Sequence, residues 1–448
     1  MFSTKEIAKI TSGELSGGDI HVSSVSTDTR TITPDALFIA IKGERFDGND
    51  YIKTAAENGA AAAVSDRPSG SIDVDIPVVY VKNSREAQLA LARRWRDRFD
   101  VKVCAVTGSV GKTSTKDMIY SVLSQGFETM KTEGNYNNDI GLPKTLFRLS
   151  ENYGAAVIEM GMSDLGEISV LSKAAHPDCC VITNIGFCHI ENLKSQENIL
   201  KAKSEILDGA APDAPLVLCG DDEYLNTLTA DNVGARKIMR YGFGENCDVR
   251  ACKIRHTENG EKFLICYDGK EYDAEVPVSG EHHILNALAA FCVGVCFGVQ
   301  PLQIVPAFMN YEASGMRQRI EKRGNVTVIL DCYNASPTSM KSSLSVLKNI
   351  RTGGRRIAVL GDMLELGEYS ERLHAGIAQY SDSADEFFLF GEEMAALAAA
   401  LAEKKVPAFH STDKAELTGW LLESITDGDV ILFKGSRGMR MEEIADKI

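Results

Sequence analysis

The feature that most constrains the fold of this chain is an apolar run at residues 101–106 that leads directly into a glycine-containing loop. The run reads Val-Lys-Val-Cys-Ala-Val, and the loop after it reads Thr107-Gly-Ser-Val-Gly-Lys-Thr113. Residues 114–123 then have a composition compatible with a helix. Strand, tight turn and helix in this order form the repeating unit of a parallel α/β sheet. The sequence therefore predicts an α/β protein whose sheet is covered by helices on both faces.

The same loop has the chemistry of a phosphate-binding site. Glycines let the backbone curl so that several N–H groups and the positive end of the helix face a polyphosphate. Lys112 can reach the terminal phosphates, and the Thr113 hydroxyl suits Mg²⁺. The spacing is shorter than usual, since two residues separate Gly108 from Gly111. A plain strand-to-helix turn would explain a glycine but not Gly-Lys-Thr. The predicted nucleotide-binding residues here are Gly108, Ser109, Val110, Gly111, Lys112, Thr113 and Ser114.

Three domains are predicted, because 448 residues exceed what one hydrophobic core organises. Residues 1–100 mix short strands with helices and suggest a small α/β domain. Residues 101–312 alternate apolar strands with helical segments around the phosphate loop, and residues 313–448 repeat such an alternation as a Rossmann-like α/β domain. The second boundary is placed near Glu312, because Ser314 and Gly315 precede the new pattern.

Composition excludes several classes of protein. A net charge of -15 argues against general affinity for nucleic acid, which requires clustered Lys and Arg. No apolar run reaches the ~20 residues of a membrane span. The 11 cysteines are scattered without a Cys-x-x-Cys pair, which favours reduced core thiols over disulfides or a zinc site. We therefore expect a cytoplasmic protein with neither a nucleic-acid nor a membrane partner.

Two candidate metal ligands follow apolar strands of the central segment. Glu159 ends the run at 155–158, and a carboxylate at the carboxyl edge of a parallel sheet faces the ligand crevice. A helix-capping or solvated glutamate is the alternative. His189 follows the run at 181–185, although a lone histidine is more often structural than a ligand. The residues alone leave both alternatives open.

Two lysines near each other are predicted to lie in opposed environments. If residues 195–209 form a helix with Ser195 as its N-cap, Lys203 shares the apolar face of Ile199 and Ile206, whereas Lys201 faces solvent. A lysine that extends its charge to solvent along the surface is the alternative for Lys203. Burial favours a neutral amine, and a neutral amine can react with CO₂ to form a carbamate.

Four motifs in one order resemble the central domain of the Mur ligase family. They are the phosphate loop, Gly134-Asn-Tyr-Asn-Asn138, Glu159-Met-Gly161 with Gly166-Glu-Ile168, and Asn184-Ile-Gly186 with His189. The resemblance implies that Thr113, Glu159 and His189 bind a divalent metal. Ala202-Lys-Ser-Glu205 matches the family's Ala-Lys-x-Glu, which implies that Lys203 is carbamylated and helps to hold a second Mg²⁺. Lys112, His189 and Lys203 are the implied catalytic residues.

The resemblance extends to nucleotide and substrate contacts. It implies that Asn286 lies near adenine, for which mere amphipathicity is the alternative, and that Arg317 and Asp331 reach the ATP phosphates and ribose. Arg317 lies at a domain junction, where it can complete a phosphoryl-transfer site when domains close. The other implied substrate-binding residues are Asn135 and Asn138 in the central domain and Tyr333, Asn334 and Ser336 in the C-terminal domain.

The amino-terminal segments Ser26-Thr-Asp-Thr-Arg30 and Ile41-Lys-Gly-Glu-Arg-Phe-Asp-Gly48 resemble UDP-sugar-binding segments of the family. Turns and exposed charge are the alternative for both. The implied contacts are Ser26, Thr27, Asp28, Thr29, Arg30, Lys42, Gly43 and Asp47.

Three C-terminal motifs resemble the family members that add D-alanyl-D-alanine. They are Asp331-Cys-Tyr-Asn-Ala-Ser336, Leu360-Gly-Asp-Met-Leu-Glu-Leu-Gly367 and Lys434-Gly-Ser-Arg-Gly-Met-Arg440. The resemblance implies a monomeric enzyme that uses ATP and Mg²⁺ to join D-alanyl-D-alanine to UDP-N-acetylmuramoyl-tripeptide through an acyl phosphate, for peptidoglycan synthesis. A folylpolyglutamate synthetase-like ligase is a rival, which the full domain ahead of the phosphate loop disfavours. A motor-type ATPase or nucleotide-gated binding protein is the rival from another class.

Overall fold

The structure is a computed structural model that describes residues 1–234, 236–257, 260–315 and 317–448. Three large sheets follow one another along the chain, with five, nine and six strands, and helices pack against each. The predicted three-domain α/β fold is therefore confirmed. Within the described residues, no helix combines the length and the apolar character that crossing a bilayer requires.

The amino-terminal sheet has the order β2-β7-β6-β5-β4, in which β4 to β7 are parallel and β2 pairs antiparallel with β7. Its strands and the short pair β1 and β3 are β1 (Phe2–Ser3), β2 (Glu14–Ser16), β3 (His21–Val22), β4 (Ser24–Ser26), β5 (Ala36–Ile39), β6 (Ala60–Ser65) and β7 (Val78–Tyr80). Its helices are α1 (Thr4–Thr11), α2 (Ile52–Glu57) and α3 (Ser84–Arg96).

The central sheet has the order β16-β15-β14-β13-β12-β11-β8-β10-β9. Its strands are β8 (Lys102–Thr107), β9 (Thr129–Lys131), β10 (Ala155–Glu159), β11 (Cys179–Ile182), β12 (Leu216–Cys219), β13 (Ile238–Gly242), β14 (Val249–Thr257), β15 (Gly260–Tyr267) and β16 (Lys270–Val276). Its helices are α4 (Lys112–Leu123), α5 (Gly141–Leu146), α6 (Glu167–Ala175), α7 (Ile190–Leu193), α8 (Gln196–Ser204), α9 (Glu281–Cys296) and α10 (Pro301–Ala307).

One part of the fold prediction needs correction, because the central sheet is not wholly parallel. Strands β8 to β13 are parallel, and β14 continues this direction, but β15 and β16 run antiparallel to their neighbours. In β8, β10, β11 and β12 nearly every residue is buried, whereas burial is broken by exposed positions along β14 to β16. Antiparallel strands can expose one face to water, so this hairpin extension tolerates a half-polar sequence.

The central strand order places the phosphate loop at the middle of the sheet. Strand β8 lies between β10 and β11: the chain runs from β8 to β9 and β10 on one side of it and then crosses to β11 on the other side. Ligands of open α/β sheets bind in the crevice at the carboxyl ends of strands where the order reverses in this way. The loop that follows β8 opens into that crevice.

The C-terminal sheet has the order β17-β18-β22-β19-β20-β21 and is parallel except for the edge strand β17. Its strands are β17 (Arg319–Arg323), β18 (Val326–Asp331), β19 (Arg356–Gly361), β20 (Glu386–Phe390), β21 (Ala408–Ser411) and β22 (Val430–Lys434). Its helices are α11 (Pro337–Asn349), α12 (Ser370–Gly376), α13 (Met394–Glu403), α14 (Lys414–Ser424) and α15 (Glu442–Ala445).

Candidate active site

The phosphate loop is held in a curled conformation by glycines and by one asparagine. Gly111 has a φ of 83° and precedes α4 without a side-chain cap, so the first amides of the helix are available to a ligand. At Gly108 a Cβ atom would lie 1.9 Å from Oγ1 of Thr183, so only glycine fits. The Asn184 side chain accepts a hydrogen bond from the Val110 amide at 2.9 Å. The loop is therefore pre-formed as an anion site.

Lys112 lies inside the curl of this loop. Its Nζ donates to the carbonyl of Gly108 at 2.8 Å. Burial lowers the pKa of Lys112, whereas the charge of Glu159 raises it and that of Arg317 lowers it. A carbonyl is a weak partner for an ammonium group, so an anionic phosphate would compete for it successfully.

Glu159 ends β10 at the same sheet edge and is only 2% exposed. One carboxylate oxygen accepts from the Thr113 hydroxyl at 2.8 Å, and the other accepts from Nδ2 of Asn137 at 2.8 Å. The Lys116 ammonium, itself fully buried, lies 3.8 Å away. Hydroxyl and carboxylate oxygens are the donors that Mg²⁺ prefers, so these residues fit a divalent cation.

His189 reaches this edge from the segment after β11. It has a φ of 59° and begins α7. Its Nδ1 lies 2.6 Å from Oε2 of Glu365, a residue of the C-terminal domain. The hydrogen bond to His189 lowers the pKa of Glu365. The histidine is therefore contacted by two domains at once.

Lys203 occupies the apolar face that its sequence position predicts. Its residue surface is 2% exposed, Ile199 and Ile206 are fully buried, and Lys201 is exposed. Among the described residues, the Lys203 ammonium forms no hydrogen bond or ion pair. Burial, followed by the charge of Lys112, lowers the pKa of Lys203 to about 7. A large fraction of this lysine is therefore a neutral amine near pH 7.

Helix α9 supplies a buried amide and two adjacent histidines, His282 and His283, whose rings are tilted by 41°. Oδ1 of Asn286 accepts from the Thr115 hydroxyl at 2.9 Å, while its buried Nδ2 finds no hydrogen-bond partner among the residues that the structure describes. A buried donor without a partner costs free energy that a ligand can recover. Nε2 of His283 lies 2.7 Å from Oε1 of Gln318. Burial and the neighbouring His282 lower the pKa of His283 to about 3.

The C-terminal domain contributes an arginine and a buried carboxylate. The guanidinium of Arg317 lies 4.2 Å above the ring of Tyr333. Asp331 accepts from the Lys434 ammonium at 2.6 Å and from the Ser343 hydroxyl at 2.6 Å. Burial alone would raise the pKa of Asp331, but the charge of Lys434 and these hydrogen bonds lower it overall.

Ser336 has a structural role at the start of α11. Its side chain caps the helix by accepting from the amide of Ser339, and Pro337 occupies the first helical position. Serine is among the residues preferred at an N-cap, which fits this role of Ser336.

One cavity of about 790 Å³ collects most of the predicted residues of the central and C-terminal domains. The predicted residues that line it are Ser109, Val110, Gly111, Lys112, Thr113, Ser114, Asn138, Glu159, His189, Asn286, Arg317, Asp331, Tyr333, Asn334 and Ser336. Gly108, the buried Lys203 and the exposed Asn135 do not line it.

The predicted UDP-binding segments lie outside that cavity and are satisfied by local contacts. Asp28 and Arg30 form an ion pair of 2.6 Å in which the arginine side chain is 86% exposed. Hydrogen bonds from Arg30 lower the pKa of Asp28 to about 2. Ser26 donates to the carbonyl of Asp28 at 2.9 Å, and Thr29 begins the 3-10 turn. Thr27 lies between these residues.

The second amino-terminal segment folds back on itself and is linked to the central domain through Arg85 of α3. Lys42 and Asp47 form an isolated bridge that encloses Gly43. Arg85 donates to the carbonyl of Lys42 at 3.1 Å and to the carboxylate of Asp139 at 3.1 Å. Asp139 belongs to the loop that carries Asn135 and Asn138, so this arginine links the two proposed substrate segments.

Several residues at the site were not among the sequence predictions. Asn137 orients Glu159, and Lys116 lies behind it. Lys434 pairs with Asp331, and Glu365 pairs with His189. Each lies in or close to a motif that resembles the Mur ligase family, but its partner is determined by the tertiary fold.

Family models match three successive parts of the chain. The Mur ligase family catalytic domain matches residues 21–96, the Mur ligase middle domain matches 106–294, and the Mur ligase glutamate ligase domain matches 317–437. Together these matches span well over half of the sequence.

Relatives and solved structures match over almost the full length. The UDP-N-acetylmuramoyl-tripeptide--D-alanyl-D-alanine ligase of Bacillus subtilis (strain 168) is 38% identical, covering 99% of this chain and 97% of the relative. That of Escherichia coli (strain K12) is 36% identical, covering 98% and 96%. A crystal structure of MurF from Acinetobacter baumannii superposes with a TM-score of 0.92 at 29% identity, covering 100% of this chain and 98% of that one. By its sequence and its three-domain architecture alike, the chain belongs to the Mur ligase family.

Proposed function

We propose that this chain joins D-alanyl-D-alanine to UDP-N-acetylmuramoyl-tripeptide at the expense of ATP, forming the UDP-muramoyl-pentapeptide of peptidoglycan synthesis. The relatives named above carry this reaction in their names. The observation that carries the proposal is the single cavity in which the phosphate loop faces Arg317, Asp331 and Tyr333 of the C-terminal domain. Such a ligase needs to bind its nucleotide between two domains and its acceptor on the second of them, here the C-terminal domain.

The reaction proceeds in two steps. The terminal carboxylate of the tripeptide attacks the γ-phosphate of ATP, which gives an acyl phosphate and releases ADP. The amine of D-alanyl-D-alanine then attacks the acyl carbonyl, and phosphate leaves from the tetrahedral intermediate. Lys112 stabilises negative charge on the transferred phosphoryl group, and closure of the cavity keeps water from hydrolysing the acyl phosphate. No nucleophilic side chain takes part.

A divalent cation would be held by Thr113, Glu159 and His189, which supply hydroxyl, carboxylate and imidazole donors. Mg²⁺ bound there would neutralise phosphate charge during transfer. Lys203 would assist a second Mg²⁺ after its neutral amine adds to CO₂, forming a carbamate and releasing a proton. The buried environment and the depressed pKa of Lys203 support this modification.

The remaining contacts are proposed from the chemistry of residues that line the cavity. Asn286 would offer its buried amide donor to the adenine, Arg317 would contact the phosphates, and Asp331 would accept from the ribose hydroxyls. The acceptor dipeptide would contact Tyr333, Asn334 and Ser336. The UDP-sugar would bind the amino-terminal segments, from Ser26 to Arg30 and at Lys42, Gly43 and Asp47, and the tripeptide would extend toward Asn135 and Asn138.

The proposed domain boundaries lie near residues 100 and 313, and the enzyme acts as a cytoplasmic monomer. The division is supported by the separation of the three sheets, since α3 ends at Arg96 before β8, and β17 begins at Arg319. Limited proteolysis should yield fragments cut near these two positions. A single core that resists cleavage at both would contradict the division.

An amide-formation assay tests the function directly. Purified protein should consume ATP only when both the UDP-tripeptide and D-alanyl-D-alanine are present, and mass spectrometry should detect the pentapeptide product. A motor-type ATPase would instead hydrolyse ATP without either substrate. ATP turnover that is independent of both substrates would overturn the proposal.

A further inference from the structure

The segment at residues 360–367 has no role in the proposed function. One of its carboxylates, that of Glu365, contacts a candidate metal ligand. Oε2 of Glu365 lies 2.6 Å from Nδ1 of His189. We propose that Glu365 is a positioning residue that orients His189 toward a divalent cation and makes tight cation binding depend on docking of the C-terminal domain. The inference rests on the proposed function in one respect, the assignment of His189 as a metal ligand.

The backbone before Glu365 is held by hydrogen bonds within its own domain. On its amino-terminal side, the Met363 amide donates to Nε2 of His374 at 2.9 Å, and the Leu364 amide donates to the Ser436 hydroxyl at 2.9 Å. Glu365 itself has a φ of 64°, which turns the chain outward from these anchors. The backbone that carries Glu365 is therefore anchored to the C-terminal domain, while its exposed side chain is oriented by the contact with His189.

The same loop docks on the segment that follows His189. The Glu191 amide donates to the carbonyl of Glu365 at 3.2 Å, and the Tyr369 hydroxyl donates to the carbonyl of Lys194 at 3.0 Å. Both contacts join residues of different domains. Separation of the two domains would break these contacts together with the bond from Glu365 to His189.

The pairing determines which ring nitrogen of His189 is free. When Nδ1–H donates to a carboxylate, Nε2 keeps its lone pair and the ring orientation is fixed. His189 lines the cavity together with Glu159 and Thr113, and we assign its free ring nitrogen to the same donor set. Carboxylate partners of metal-binding histidines also increase the basicity of the ligand, and their loss lowers metal affinity by roughly 10–100-fold.

Mn²⁺ binding tests the proposal without any ligation. Mn²⁺ is titrated into the full-length protein with ADP, and free Mn²⁺ is followed by electron paramagnetic resonance. We expect Glu365→Gln to weaken binding about tenfold at unchanged melting temperature. Glu368→Gln, which removes an exposed carboxylate from the same loop, should bind as the parent does. Tyr369→Phe removes a docking bond without touching His189 and should weaken binding a few-fold.

A double-mutant cycle separates positioning from general destabilisation. In a His189→Ala background, Glu365→Gln should have no further effect on Mn²⁺ binding. Parent-like binding by Glu365→Gln, or weakening that persists without His189, would overturn the positioning role, and parent-like binding by Tyr369→Phe would overturn its dependence on docking. Because neither the UDP-tripeptide nor the dipeptide takes part, a parent that fails to ligate would overturn the proposed function and not this inference.

Discussion

The carboxyl edge of the central sheet and the amino-terminal segment around Asp28 both carry charged candidate residues, but they are built in opposite ways. Glu159 and Lys203 are each 2% exposed, and the hydrogen bonds that orient Glu159 come from other segments. Arg30 is 86% exposed in its side chain and pairs with a carboxylate two residues away. Buried charge must be matched by its surroundings or by a ligand, whereas exposed charge is solvated in any state. The central edge should therefore determine the reaction rate, and the amino-terminal segment should determine substrate affinity.

The largest effect is expected at the phosphate loop. Lys112→Ala should lower the rate of ligation by about a thousandfold or more, because an ammonium group that stabilises developing phosphoryl charge is removed. The fold should persist, since the hydrogen bonds of Lys112 to described residues go to the loop carbonyls of Gly108 and Ser109. Steady-state ligation and a thermal melt measure the two effects. A folded variant with near-parent turnover would show that the central edge is not the catalytic region.

The two lysines of α8 sharpen the comparison within one helix. Lys203→Ala should lose about a hundredfold of the ligation rate, whereas the exposed Lys201→Ala should keep it, by analogy with the loss of other charge-stabilising groups. Added acetate or formate should restore part of the rate of Lys203→Ala, because a short carboxylate can occupy the vacated space. Mass spectrometry under CO₂ should detect the carbamate on Lys203. Equal rates for Lys203→Ala and the parent would refute the carbamate.

Acid should destabilise the central domain through His283. Its pKa is about 3 in the folded protein against 6.5 for an ordinary histidine, so the unfolded chain binds more protons between these values. Stability conferred by the neutral ring is therefore present above pH 6.5 and is lost as pH falls toward 3, at ~1.4 kcal/mol per pH unit. His283→Asn should show a shallower fall in chemical-denaturation experiments between pH 6.5 and 4. Identical slopes would contradict burial of a neutral His283.

The smallest effect is expected in the amino-terminal segment. Arg30→Ala should raise the KM for the UDP-tripeptide roughly tenfold, as loss of one charged hydrogen bond does, with little change in kcat. Its ion pair with Asp28 is exposed, so the free energy of unfolding should change by less than ~1 kcal/mol. Lys5→Ala removes another exposed ion pair of this domain and serves as control. A large fall in kcat for Arg30→Ala would remove the distinction between the two regions.

Local sequence patterns predicted the parts of this molecule that depend on local physics. Glu159 follows a run of apolar residues, and it does end a buried strand at the sheet edge. The spacing of Ile199, Lys203 and Ile206 correctly predicted one buried face, because helical periodicity needs no tertiary information, although α8 ends at Ser204 and Ile206 lies in the 3-10 turn Glu205–Leu207 that follows.

Contacts between distant segments could not be predicted in this way. Lys434 lies 103 residues from Asp331, and no pattern in either segment indicates that their strands become neighbours. The partnership of Glu365 with His189 likewise depends on how two domains meet. The antiparallel extension at β15 and β16 was missed because polar residues interrupt both strands, so neither shows the continuous apolar run that marks the buried strands of the sheet.

That extension also affects the tendency of the protein to aggregate while it folds. A sheet edge offers unpaired amide and carbonyl groups to any other chain, and charged or very short edge strands prevent such pairing. One edge of the central sheet is β16, which carries Lys270, Glu271, Asp273 and Glu275, and the other is β9, which has three residues. Both edges are thus protected against intermolecular strand addition. Because of the hairpin, the edge of this large, mostly apolar sheet is a charged strand and not one of the buried strands. A charged edge limits aggregation.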